Sequence, residues 1–221
     1  MIPNRTKGED GFRPSPLIAK QPQNPLYHEQ RTPANDSPSP HAPSDERRAT
    51  SDKILRLAGL TKESVVDGPG LRAVVFVQGC PHHCPGCHNP ETWDPAGGFP
   101  ITVEELWEEI KDLRLLRGIT YSGGEPFAQA GPLATLAERI KAKGWDLFVY
   151  SGYTWEELNE RRVYDPGTDR LLALADVLID GPFLLAERDP RLPFRGSRNQ
   201  RLIDLRASEA AERPVLWEAP C

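Results

Sequence analysis

The stretch Gly79-Cys80-Pro81-His82-His83-Cys84-Pro85-Gly86-Cys87-His88-Asn89-Pro90 gathers three of the chain's four cysteines in a C-x3-C-x2-C pattern. Thiolates so placed can hold a soft metal or an iron–sulfur cluster. A closed structural zinc site takes four protein ligands, so zinc would need His82, His83 or His88 as the fourth. A cluster held by three thiolates keeps one iron free of the protein, an open position where a substrate can coordinate. Both readings stand on the cysteines alone. A disulfide framework fits poorly, because three of four cysteines fall within eight positions and nothing marks secretion.

Three further stretches carry polar groups beside glycines: Ser122-Gly123-Gly124-Glu125-Pro126, Ser151-Gly152-Tyr153 and Asp180-Gly181. Tandem glycines let a backbone approach a ligand closely. Arg195-Gly196-Ser197-Arg198-Asn199-Gln200 is polar enough to meet an anion or a partner loop, and equally able to form a capped turn. Arg72, near the start of an apolar run, suits an anionic ligand or an ion pair.

The elements that position these residues follow from pattern. Val74, Val75, Phe76 and Val77 form a strand that delivers the chain to the cysteines. Ile54, Leu55 and Leu57 read as a short strand before it, and Gly68-Pro69-Gly70 as a tight turn. A helix is expected over Ile101 to Arg114, capped by Thr102, with Val103, Leu106, Ile110 and Leu113 on its apolar face. Gly118 to Tyr121 is a strand, the helix after Pro132 ends before Gly144, and Trp145 to Tyr150 is a strand again. Thr154 caps a helix over Trp155 to Arg161. Ala175 to Ile179 and Arg201 to Leu205 complete the strands. This alternation is that of a parallel α/β sheet. Every candidate stretch then falls just beyond a strand's C-terminal end, the rim where α/β barrels assemble active sites.

Composition bounds the rest. Residues 1–50 hold nine of the 23 prolines and few large apolar side chains. Such a segment buries too little apolar surface to offset its ordering entropy, so a disordered extension is expected there and a folded domain over 51–221. Arg5, Lys7, Glu9 and Asp10 interrupt any secretory apolar core. No run approaches the roughly 20 apolar residues of a membrane span, which points to a soluble, cytoplasmic protein. A net charge of -5 argues against a nucleic-acid partner.

Taken together, these residues resemble the radical S-adenosylmethionine superfamily. Within it they are most similar to the activases of glycyl-radical enzymes, and to the family serving the anaerobic (class III) ribonucleoside-triphosphate reductase. The likeness runs from about Val65 to Leu205, on Val66-Asp67-Gly68-Pro69-Gly70-Leu71-Arg72, the cysteine loop through Asn89, Ser122 to Pro126, Gly152-Tyr153, Asp180-Gly181 and Arg195 to Gln200. The resemblance implies a partial, open (βα)-type barrel. It implies that Cys80, Cys84 and Cys87 hold one [4Fe-4S] cluster whose open iron takes the amino and carboxylate groups of S-adenosylmethionine. Gly123, Gly124 and Glu125 would meet the methionyl end, with Glu125 as negative charge near the ammonium. Ser151, Gly152 and Tyr153 would lie by the ribose or carboxylate, and Gly86, Cys87 and His88 by the adenine. An electron from a flavodoxin-like donor would cleave the cofactor to a 5′-deoxyadenosyl radical, which takes hydrogen from a glycine of the reductase. An activase of the pyruvate formate-lyase type, a small-molecule radical enzyme and a zinc-binding interaction module are the alternatives. Cys221 has no motif partner and is expected to be a free thiol.

Overall fold

The computed structural model describes residues 53–219; the extension expected over 1–50 and the thiol of Cys221 lie outside the described residues. A seven-stranded sheet carries the fold, in the order β3-β1-β2-β4-β5-β6-β7. Its strands are β1 (Ile54–Ser64), β2 (Arg72–Val77), β3 (Phe99–Thr102), β4 (Gly118–Gly123), β5 (Asp146–Tyr150), β6 (Val177–Asp180) and β7 (Arg201–Asp204). The four central strands β2, β4, β5 and β6 run parallel. β1 pairs antiparallel with β2 and with β3, and β7 antiparallel with β6. The all-parallel sheet expected from the alternation is therefore mixed, with antiparallel strands at both edges.

Five helices accompany it among the described residues: α1 (Val103–Ile110), α2 (Ala130–Ala142), α3 (Trp155–Arg162), α4 (Pro166–Leu174) and α5 (Leu205–Ala211). Thr102 and Thr154 each open a helix with a reciprocal capping box, to Glu105 and Glu157. Such a cap contributes about 1 kcal/mol and fixes where the chain turns from strand to helix. The helix expected over 101–114 begins later and ends sooner, because residues 99–102 pair with β1 as an edge strand.

Alternation along the strands sorts the core into two faces. Val75, Val77, Ile119, Tyr121, Leu147, Val149 and Leu178 pack with Leu106, Leu133, Leu136, Ile140 and Leu171 of the helices. Phe148, Val177, Ile179 and Leu202 point the other way and meet Tyr150, Phe194 and Trp217. β2 is buried along nearly its whole length, as a central parallel strand covered on both faces should be.

Arg72 sits at the N-terminal end of β2, fully buried and ion-paired with Asp146 at the start of β5. Of its two expected roles, the ion pair is the one seen. The two ends of the parallel strands thus carry different chemistries: Arg72 and Asp146 where they begin, the cysteines and glycines where they end.

A candidate iron–sulfur and substrate site at the strand ends

The chain leaves β2 through Gln78 and Gly79, and its first thiol follows at once. Gly79 N donates to Thr92 O at 2.8 Å and Cys80 N to Trp93 O at 3.1 Å, so the segment after the loop braces its entry. Gln78 is 4% exposed and donates to Glu91 O and Asp94 O. Gln129 donates to Gln78 O at 2.9 Å. Sequence reasoning missed both glutamines, since a lone amide in a loop has no spacing to betray it.

Cys80, Cys84 and Cys87 are free and half-buried. Asn89 N donates to Cys87 Sγ at 3.4 Å. Burial pushes the Cys80 thiol above its usual value and nearby Glu125 adds to this, while the N–H groups of His82 and His83 pull it down. Backbone N–H groups directed at sulfur are among the protein's levers on an iron–sulfur cluster, and the donor set fits one. Among the described residues no three His, Cys, Asp or Glu side chains are grouped so as to hold a metal ion. A cluster needs no such convergence, because each thiolate binds a different iron. The three imidazoles considered for zinc have other neighbours: His82 on Glu125, His83 edge-on to Trp93 at 5.1 Å, and His88 5.6 Å from Phe183.

The tandem glycines lie against this loop. Gly124 N donates to Val77 O and Glu125 N to Gly79 O, each at 2.8 Å. A Cβ on Gly124 would stand 2.3 Å from Gly79 O, and one on Gly123, at φ +94°, 2.7 Å from Val77 O. Both obstacles are backbone and cannot swing aside. Gly124→Ala is therefore expected to part β2 from β4 at the rim at a cost of roughly 1–3 kcal/mol. Chemical denaturation would read this as a lowered midpoint, and iron content as a lower yield of loaded protein.

Glu125 is fully buried. Its Oε1 accepts from Phe127 N at 3.0 Å and Ser151 Oγ at 3.0 Å; its Oε2 accepts from Gly152 N at 2.8 Å and lies 2.9 Å from His82 Nε2. The carboxylate thus turns inward, while Gly123 and Gly124 are partly exposed. Ser151 Oγ also accepts from Tyr153 N at 3.0 Å, and the Tyr153 ring meets His82 edge-on with centroids 4.4 Å apart. The next strand joins in, since Ser151 N donates to Ile179 O and Gly181 N to Tyr153 O.

Beyond β6 the chain crosses back over the cysteine loop. A Cβ on Gly86, at φ +77°, would stand 3.0 Å from a methyl of Leu185 and 3.5 Å from the Phe183 ring. The Arg195 to Gln200 stretch holds that crossing in place. Asn199 Nδ2 donates to Pro182 O at 2.8 Å, Gln200 Nε2 to Gly181 O at 3.1 Å, and Leu184 N to Ser197 Oγ at 3.2 Å. Arg195 Nε and Asn199 Oδ1 are buried without a partner. Asp180 accepts from Trp155 N at 2.7 Å and pairs with Arg201.

The structure thus brings together Cys80, Cys84, Cys87, Gly123, Gly124, Glu125, Ser151, Gly152 and Tyr153 at neighbouring strand ends, with Gly86 and His88 on the side facing Phe183.

Comparison with known proteins agrees with this chemistry. A family described as a 4Fe-4S single cluster domain matches residues 66–203. The anaerobic ribonucleoside-triphosphate reductase-activating protein of Escherichia coli K12 is 38% identical over 150 residues, spanning 64% of this chain and 94% of that protein. The protein of that name from Vibrio cholerae is 39% identical over 144 residues, 62% of this chain and 89% of its own. One from Enterobacteria phage T4 is 33% identical over 147 residues, 62% of this chain and 86% of its own. Among solved structures, QueE from Escherichia coli matches 46% of this chain and 53% of its own at 18% identity and a TM-score of 0.37, too slight a likeness to argue from.

Proposed function

The chain belongs to the 4Fe-4S single cluster domain family, and from that premise we propose that it is a radical S-adenosylmethionine enzyme that activates an anaerobic ribonucleoside-triphosphate reductase. One observation carries the reading: three free thiols on one loop are hydrogen-bonded through that loop to the glycine-rich ends of the adjacent strands. In this reading Cys80, Cys84 and Cys87 hold one [4Fe-4S] cluster. When bound, it supplies one electron, drawn from a flavodoxin-like or other low-potential donor, and an open iron at which S-adenosylmethionine is cleaved to methionine and a 5′-deoxyadenosyl radical.

The chain's own residues do the rest. The backbone of Gly123, Gly124 and Glu125 receives the methionyl end, with glycine leaving room for close approach while the Glu125 carboxylate stays turned inward. Ser151, Gly152 and Tyr153 lie toward its ribose or carboxylate. Gly86, Cys87 and His88 face the adenine, and the Phe183 ring beside His88 supports a flat, apolar wall there. Phe183 and Leu185 lie against Gly86 and offer an apolar side to the place proposed for the radical. Its target is a glycine Cα of the reductase.

The helices' gathering on one face of the sheet supports a partial, open (βα)-type barrel with the site inside its rim. No helix among the described residues is long and apolar enough to cross a membrane. A cluster with a vacant iron needs a reducing setting, which supports a cytoplasmic location, and the net charge of -5 supports a protein partner over nucleic acid.

The test mixes anaerobically loaded protein with the reductase, dithionite and S-adenosylmethionine and records the EPR spectrum. A glycyl doublet is expected. Its absence despite an intact cluster and cofactor cleavage would move the target to another glycyl-radical enzyme or a small molecule. One zinc per chain and no iron after anaerobic purification would leave only an interaction module. The catalytic domain is proposed to be residues 51–221. Removing residues 1–45 is expected to leave cofactor cleavage within about twofold of the full chain, measured as 5′-deoxyadenosine formed, since the motifs proposed for the site all lie beyond it.

A further inference from the structure

The donors converging on Glu125 come from three separate places in the chain. Phe127 N belongs to its own turn, Ser151 and Gly152 to the end of β5, and His82 to the span between the first two cysteines. Glu125 Oε2 already accepts from Gly152 N, and His82 Nε2 lies 2.9 Å from the same oxygen, within hydrogen-bond reach. A fully buried carboxyl group with four hydrogen-bond partners is satisfied, and losing any one of them leaves a buried polar atom short of a partner. The imidazole is also confined by packing, edge-on to Tyr153 on one side and against Gly152 on the other. A Cβ on Gly152 would fall 2.4 Å from the His82 ring. His82 is therefore held by a bond and by shape, while the side chains of its loop neighbours Pro81 and His83 are exposed.

We propose that Glu125 is a positioning residue for the cluster: through His82 it fixes the Cys80–Cys84 span to the ends of β4 and β5 and presets the thiols for iron. This rests on the cluster reading above, and it assigns the carboxylate a task other than meeting the substrate ammonium. Preset ligands lower the ordering cost of binding, so the effect belongs in how tightly iron is kept.

The test uses the full chain, loaded anaerobically, with Glu125→Ala, His82→Ala, the double variant and Ser151→Ala. Iron and sulfide per chain, the rate of iron loss to a chelator, and thermal unfolding of the metal-free proteins are measured. Glu125→Ala and His82→Ala are each expected to lose iron at least about tenfold faster than the parent. The double variant is expected to lose it no faster than the worse single one, since the two residues act through one bond. Ser151→Ala removes a donor from the same carboxylate without touching the cysteine loop, and its iron loss is expected to stay within about twofold. Should Glu125→Ala fail to fold, His82→Ala decides, because it removes a loop side chain outside both core clusters and leaves Glu125 three donors. Iron kept as long as in the parent by His82→Ala, or additive effects in the double variant, would overturn the proposal. A parent chain that takes up no iron would instead overturn the cluster reading.

Discussion

Cys84→Ala is expected to lose its iron and keep its fold. The parent chain should carry about four irons, as a [4Fe-4S] cluster requires. With the middle thiol gone, two ligands remain for a cluster already one short of full protein coordination, and retained iron should fall to a small fraction. The sheet should not notice. Cys84 is half-buried on a loop outside both core clusters, and no side-chain hydrogen bond from it reaches the strands. Substitutions away from packed and bonded positions usually change stability by no more than about 0.5 kcal/mol. Iron analysis, the visible chromophore and circular dichroism of the metal-free chain separate the two effects. Full iron content and cofactor cleavage in Cys84→Ala would mean that the ligands had been misassigned.

Much of this site could be read from the chain because each part has a local signature. Three thiols at fixed spacing, two tandem glycines and the strand-ending Ser151-Gly152 needed only the rule that α/β sites gather at strand ends. Other parts depend on partners distant in sequence. Glu125 is adjacent to a motif, but its burial is decided by His82 and Gly152, respectively 43 and 27 positions away. The Arg195 to Gln200 stretch could be read as meeting an anion or a partner loop, or as a capped turn; Ser197, Asn199 and Gln200 instead hold residues 181–184. In the fold, α4 went unexpected, because Asp165, Pro166 and Gly167 are residues that turns also favour. There Asp165 accepts from Gly167 N and Thr168 N as an N-cap and Pro166 occupies the first helical position, so the same residues start a helix. β1 looked short because register shifts at Leu57/Gly59 and Thr61/Ser64 break its alternation.

The opposite end of the strands supplies the second large effect. Arg72 is wholly buried, and its fork is fully used: Nε donates to Thr120 Oγ1 at 2.7 Å, one terminal nitrogen pairs with Asp146, and the other donates to Ile119 O at 2.6 Å. The guanidinium also stacks 4.3 Å above the Phe148 ring. Thr120 Oγ1 in turn donates a hydrogen bond to the Asp67 carbonyl oxygen at 2.7 Å, so the Asp67-Gly68-Pro69-Gly70 turn is tied to the same group. Gly68 is required by that contact, since at φ +135° a Cβ would stand 2.7 Å from Arg72 Cδ. Arg72→Met keeps most of the volume but strips bonds from β2, β4 and β5 together and leaves buried acceptors unpaired. The expected cost is about 3–5 kcal/mol, a large part of the roughly 5–15 kcal/mol that holds a domain together. Arg72→Lys should recover little of it, because an ammonium cannot span three acceptors set in the plane of a fork. Urea unfolding should show a lower midpoint at unchanged slope. The loaded, folded fraction should keep the parent's cluster EPR line shape, because Arg72 lies at the far end of β2 from Cys80. An unchanged midpoint with lost cofactor cleavage would put the arginine in the reaction rather than in the frame.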